Sequence, residues 1–168
     1  DQSLRFDDGD TPYLNKTFAT PTNNKIWTLS CWVKRCTTGS SQTILFADNS
    51  GSRGQLYFHS GDTFRYYHHS DGVRMDTSQV FRDPSAWYHI VFSLNTTQSS
   101  FSDQMKLWVN GERITDFATS SALTQDAASY INSACAHDIS KSAWGDYIDG
   151  YLAEYHFIDG QALDASSF

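Results

Sequence analysis

Apolar and polar residues alternate along this chain with the two-residue period of half-buried strands, and turn signals break the pattern every eight to twelve residues. The clearest run is Ile26 to Lys34, with Trp27, Leu29, Cys31 and Val33 on one face and Thr28, Ser30, Trp32 and Lys34 on the other. A second, Trp87 to Asn95, sets Tyr88, Ile90, Phe92 and Leu94 against Trp87, His89, Val91 and Ser93. Bulk on both of its faces predicts a central strand. Shorter strands are predicted at Ser3 to Phe6 and Tyr13-Leu14, either side of Asp7-Asp8-Gly9-Asp10, and at Thr43 to Ala47, Gln55 to His59 and Phe64 to His68. Asp71-Gly72 marks a tight hairpin, and Lys106 to Val109 runs into Asn110-Gly111 and returns through Glu112 to Phe117. Thr119 to His137 is small and polar and reads as a long connection. Tyr147 to Ile158 is the last long strand, with Ala153, Tyr155 and Phe157 on one side and Leu152, Glu154 and His156 on the other, and Leu163 to Phe168 begins a helical turn capped by Asp164.

The expectation from the alternation is an all-β fold, a sandwich or a barrel. A length of 168 residues fits a single domain over 1–168 with a substantial core. The strand-like start and the unadorned end at Ser166-Ser167-Phe168 are compatible with a piece of a larger protein. Aromatics at 15% strengthen the strand reading, because their side chains suit a pleated, half-buried surface. A net charge of -7, with no run of Lys or Arg, argues against nucleic acid as a partner. No stretch has the roughly 20 apolar residues of a spanning helix, so no membrane insertion is expected. Three cysteines, Cys31, Cys36 and Cys135, cannot all pair within the chain. Cys31 sits in an apolar run, and the choice between three reduced thiols and a Cys36 to Cys135 bridge favours the thiols.

Four segments in order carry a family resemblance: Ser-Leu-Arg-Phe-Asp at 3–7, WTLSCWVK at 27–34, WYHIVFSLNTT at 87–97 with KLWVNGERIT at 106–115, and YIDGYLAEYHFIDGQAL at 147–163. Together they resemble the laminin G-like branch of the concanavalin A-like lectin/glucanase superfamily. Phe81 to His89 and the closing segment resemble most the versions found in bacteriophage tail and other virion proteins. The resemblance implies an antiparallel two-sheet jelly-roll sandwich with ligand sites on a concave face or on rim loops, glycans or proteins as partners, and calcium in several members. It also implies a virion location, after synthesis in the host cytoplasm.

The chemistry that the residues themselves offer is weighed differently. A glycoside hydrolase on this fold needs a carboxylate pair on one strand face. The nearest spacing, Asp149 to Glu154, is odd and places the two on opposite faces of a regular strand. No nucleophile or zinc motif is present, so no catalytic residue is assigned and the chain is read as a non-enzyme. Acid-rich turns make Asp8, Asp10, Asp146 and Asp149 calcium candidates, against the ordinary use of Asp to form turns. Sugar binding requires flat aromatic faces beside hydrogen-bonding groups. Two clusters supply them: the hairpin with Tyr66, Tyr67, His69 and Arg74, and the loop with Trp144, Asp146 and Tyr147. A further aromatic face would form from Trp32, Trp108, Glu154 and His156 if their strands share a sheet, with packing against a loop, a neighbouring domain or another copy as the plainer alternative. The function expected is a recognition module of a phage tail fibre or similar protein that binds cell-surface glycans. A decoration domain that contacts other virion proteins or copies of itself is the alternative, and a hydrolase or lyase comes third.

Overall fold

A computed structural model describes residues 2–68 and 71–168. It contains two antiparallel sheets built from β1 (Leu4–Phe6), β2 (Leu14–Thr17), β3 (Ile26–Arg35), β4 (Gln42–Asn49), β5 (Ser52–Phe58), β6 (Thr63–His68), β7 (Gly72–Val80), β8 (Tyr88–Asn95), β9 (Met105–Val109), β10 (Glu112–Ile114), β11 (Phe117–Ser120), β12 (Ala136–Ile139) and β13 (Gly150–Asp159). A single turn of helix, α1 (Phe101–Gln104), leads into β9. One sheet runs β1-β13-β3-β8-β9-β10 and the other β11-β7-β6-β5-β4-β12-β2. This is the two-sheet jelly-roll sandwich that the family resemblance implies, built from the strands that the alternation predicts.

The inward faces meet in one core. Trp27, Leu29, Cys31 and Val33 of β3 and Ile90, Phe92 and Leu94 of β8 oppose Ile44, Leu56, Phe58, Phe64, Tyr66 and Met75 of the other sheet. Trp27 lies at its centre with the rings of Phe92 and Phe157 at 5.3 and 5.6 Å. Its indole N–H donates to Ser129 Oγ at 3.1 Å, which satisfies the one polar group the ring brings inside. The Asn110-Gly111 turn joins β9 to β10 as predicted, and Asn110 Oδ1 also accepts the His89 N–H at 2.8 Å. Asp164 caps the closing turn by accepting the Ser166 N–H at 3.0 Å.

Three expectations change. The stretch after Asp71-Gly72 is a full strand, β7, and the supposed long connection from Thr119 to His137 contains the end of β11 and the start of β12. Both segments are polar on their outer side or placed between neighbours that supply the ladder, so their sequence lacks a strong apolar stripe. The third change is in β13. Ala153 pairs with Trp32 but His156 pairs with Ser30, so Glu154 and Tyr155 together oppose Cys31. Glu154 takes φ of 45°, a left-handed conformation for which a non-glycine residue pays about 1–3 kcal/mol. Beyond this bulge the faces exchange: Leu152 is buried in the core with Phe157 and Tyr155, whose hydroxyl donates to the Ile44 carbonyl at 3.2 Å. The bulge also cancels the parity argument about Asp149 and Glu154. They are separated instead by position, Asp149 holding Thr37 before the strand begins and Glu154 lying on the outer face of the sheet.

One end of the sandwich is tied by Arg35, which is fully buried. Its guanidinium donates to Gln42 Oε1 (3.3 Å), the Phe81 carbonyl (2.8 Å), the Ser40 carbonyl (3.4 Å) and Asp62 Oδ1 (3.1 Å). Asp62 in turn accepts the Gly39 N–H at 2.8 Å and Arg82 Nε at 3.0 Å. Burial alone would raise the Asp62 pKa, but these donors and the Arg35 charge outweigh it and hold the carboxyl below its ordinary value. Gly150 pairs with Arg35, and a Cβ there would fall 2.0 Å from the Lys34 carbonyl oxygen, so only glycine lets β13 approach β3 this closely.

Candidate functional site

The strands β5 and β6 are neighbours, and their register sets Gln55 opposite Tyr67 and Tyr57 opposite Arg65. Because Leu56, Phe58, Phe64 and Tyr66 take the inward positions, these four face out from the seven-stranded sheet. Arg65 reaches across to Asp76 of β7 with Nη2 to Oδ2 at 2.7 Å. His59 follows Tyr57 at the strand end, ring edge to ring face at 6.2 Å.

The loop before β13 closes over this face. Its shape is set by Ser142, whose Oγ accepts the N–H groups of Trp144 (3.1 Å) and Asp146 (3.3 Å) and donates to Asp146 Oδ2 (2.8 Å). Gly145, at φ of 79°, makes the reversal. The Thr43 N–H donates to the Asp146 carbonyl at 3.1 Å, which fastens the loop to β4. Trp144 is thereby held above the sheet, 53% exposed, with Tyr67 and Phe46 edge-on at 5.9 and 6.0 Å and the Arg53 guanidinium 5.6 Å from its ring centre. The result is a groove of about 300 Å³ lined by Ser41, Gln55, Tyr57, His59, Tyr67, Trp144 and Asp146. Gln55 Nε2 spans Thr43 Oγ1 (2.7 Å) and Asp146 Oδ2 (3.4 Å), so the amide orientation is fixed before any ligand arrives. Burial, then the charge of Arg65, lowers the His59 pKa, and the imidazole is neutral at pH 7. The groove therefore combines aromatic faces with a carboxylate, an amide, a phenol and a neutral imidazole, the groups that hold hydroxylated ligands.

The predicted binding residues divide among separate places. Trp144, Asp146 and Tyr67 meet in the groove. Tyr66 is fully buried with Trp27 and Phe92 around it and offers no surface to a ligand. Arg74 pairs with Asp71 (3.1 Å), which also holds His68 Nδ1 at 3.0 Å, and His68 stacks on Tyr130 at 4.2 Å, a separate cluster at the end of the β6–β7 hairpin. Tyr147 is half-buried behind the loop and does not line the groove. His69 lies outside the described residues. Gln55, Tyr57 and His59 were not singled out from sequence, although their signal is the same alternation that found the core: they alternate with Leu56 and Phe58, as Tyr67 takes the face opposite Tyr66.

The calcium candidates also separate. Asp8 and Asp149 come together with Asp7, their carboxylate oxygens within 4.8 Å of one another, whereas Asp10 and Asp146 stand elsewhere. Asp149 accepts the Thr37 hydroxyl, and Asp7 accepts the Gly9 N–H at 3.2 Å and Arg5 Nη2 at 3.2 Å. The donor set is all oxygen, as a hard cation requires, and supplies three of the roughly six to eight ligands calcium takes. All three cysteines are free: Cys36 is exposed, Cys135 is buried beside Ser133 Oγ at 3.2 Å, and no Cys36–Cys135 bridge forms.

A family model described as the concanavalin A-like lectin/glucanases superfamily matches residues 8–167. The chain belongs to this superfamily. Its fold resembles domains LG4-5 of the mouse laminin alpha1 chain, with a TM-score of 0.66 at 11% identity over 96% of this chain and 43% of that one. It resembles domain 4 of AbnA, an extracellular arabinanase of Geobacillus stearothermophilus solved with arabinotriose, with a TM-score of 0.60 at 14% identity over 88% and 65%. A sialidase of Trypanosoma rangeli, solved with a difluoro-KDN ligand, gives 0.58 at 15% identity over 85% of this chain and 22% of the sialidase. The chain thus spans less than two thirds of these neighbours. No curated protein matches it in sequence.

Proposed function

We propose that this laminin G-like domain is a non-catalytic recognition module that binds glycans in the groove under Trp144. The observation that carries the reading is a half-exposed tryptophan fixed above an outer sheet face that would otherwise be plain solvent surface, with the Asp146 carboxylate and Gln55 amide prepositioned beside it. Domain 4 of AbnA, which was solved with arabinotriose, lends support from the same fold. A binding role is favoured over catalysis because the groove lining offers one carboxylate, Asp146, already held by Ser142 and Gln55, and so no acid and nucleophile pair.

The setting we infer is a virion, in a tail fibre or similar protein, where many copies on one particle multiply weak individual affinities. That part rests on the resemblance of Phe81 to His89 and of 147–163 to virion proteins. A biotinylated multivalent form of the domain is applied to a glycan array and to purified bacterial surface polysaccharide. Binding that is lost in Trp144→Ala, with the melting temperature within a few degrees of the parent, is the expected result. Absence of binding to every glycan by the multivalent form overturns the reading.

A further inference from the structure

The opposite side of the sandwich carries a second cleft, of about 450 Å³, lined by Gln2, Ser3, Trp32, Trp87, Ala153 and Glu154. It lies on the outer face of the six-stranded sheet, and half of that face is closed. Thr28 Oγ1 donates to the Gln161 carbonyl at 2.7 Å and accepts the Leu163 N–H at 2.8 Å, so the segment after β13 lies across Thr28. The half around Trp32 and Trp87 stays open, the two rings being 37% and 36% exposed.

Three features of the open half go beyond a stray apolar patch. Trp32 is backed by His89, stacked at 4.9 Å and 16°, and His89 Nε2 is itself 3.0 Å from Ser30 Oγ, so the indole is held from behind with its other side toward the cleft. Trp87, from the turn before β8, leans on Tyr151 of β13 at 6.3 Å and forms the second wall. Ala153, paired with Trp32 across the sheet, and Glu154 also line the cleft, consecutive residues that a regular strand would send to opposite faces. The bulge in β13 turns both outward. It gives the cleft a small, flat floor and an adjacent carboxylate, at the cost of a left-handed Glu154.

We propose that this cleft is a second ligand site, independent of the Trp144 groove, for neutral pyranose units of a linear polysaccharide. Flat indoles pack against the C–H faces of pyranoses whose hydroxyls are equatorial, Glu154 accepts a pair of those hydroxyls, and Gln2 and Ser3 complete the polar rim. The same carboxylate, in a chain of net charge -7, repels uronic acids and sulfated sugars. The domain then grips polysaccharide on two opposite faces.

The test uses the Trp144→Ala/Tyr67→Ala background, so that failure of the groove reading leaves it intact. The 15N-labelled domain is titrated with cellohexaose, xylohexaose, laminarihexaose and hexagalacturonate, and the indole N–H resonances are followed. At least one neutral oligosaccharide moves the Trp32 and Trp87 resonances along a saturating curve while hexagalacturonate does not. Trp87→Ala, a rim substitution that leaves the core untouched, weakens that binding by about fivefold or more, and Glu154→Gln allows hexagalacturonate to bind. Unmoved Trp32 and Trp87 resonances with all three neutral sugars overturn the proposal. So does concentration-dependent dimerisation that Trp87→Ala abolishes, because the cleft would then hold a second copy of the chain.

Discussion

Asp62→Asn separates a buried ion pair from its surface extension. The substitution keeps the side-chain shape and one carbonyl oxygen, which can continue to accept the Gly39 N–H, but it removes the charge that faces Arg35 and Arg82. The two arginines differ in access to water. Arg82 is 64% exposed, so solvent replaces its lost partner and the cost is about 0–1 kcal/mol. Arg35 has no exposed side chain, so its guanidinium is left uncompensated, at about 3–5 kcal/mol. For a domain of this size that corresponds to a melting temperature lower by roughly 6–20 °C.

Urea unfolding followed by tryptophan fluorescence measures the effect, with Arg82→Ala as the control for the exposed half. The expected pattern is a lower midpoint at unchanged slope for Asp62→Asn and a shift of less than about 1 kcal/mol for Arg82→Ala. Acidity gives a second check. Asp62 has a folded pKa below its unfolded one, so its contribution is present above the unfolded value and disappears as the pH falls through the folded value. The gap between parent and variant therefore narrows below about pH 4. Equal small losses in the two variants, or a gap that does not change with pH, would refute the account.

His68, His89 and His137 are each shifted below the ordinary histidine value, chiefly by burial, so the unfolded chain takes up protons first and stability declines as the pH drops below about 6.5; calorimetry between pH 7.5 and 5 should show it, and a flat profile contradicts these environments. Native protein should react with a thiol reagent once per chain, at exposed Cys36, because burial pushes Cys31 up to about 12 and also raises Cys135. Mass spectrometry counts the labels, and rapid labelling of Cys31 in the native state would be inconsistent with its place in the core. Calcium should raise the melting temperature through Asp7, Asp8 and Asp149, with the increment absent in Asp149→Asn; an increment that survives the substitution excludes this triad.

The strands were readable because the longest of them state their period plainly: β3 sends Trp27, Leu29, Cys31 and Val33, and β8 sends Ile90, Phe92 and Leu94, into the core between the sheets, every second residue as the sequence predicts. What parity could not reveal was the bulge, since an extra residue in a ladder is specified by the partner strand and leaves no mark in β13 itself. The candidate site was legible in part. Trp144 stood out as an aromatic in a turn, but treating the hairpin with Tyr66, Tyr67, His69 and Arg74 as one cluster joined Tyr66 to Tyr67, which the pleat sends to opposite sides. Tyr57 and His59 escaped notice because an aromatic in a strand is most often core, although alternation with the core residues Leu56 and Phe58 sends both to the outer face.

Each sheet ends in short strands: β1 and β10 with three residues, β11 and β2 with four. β11 slips register against β7, and β2 carries Lys16 on a wholly exposed ribbon. So little unpaired backbone at the borders makes a poor template for a neighbouring chain. A surface crowded with copies of this domain can thus be packed densely without the ladders fusing from one molecule to the next, and any assembly must form through side chains on the faces.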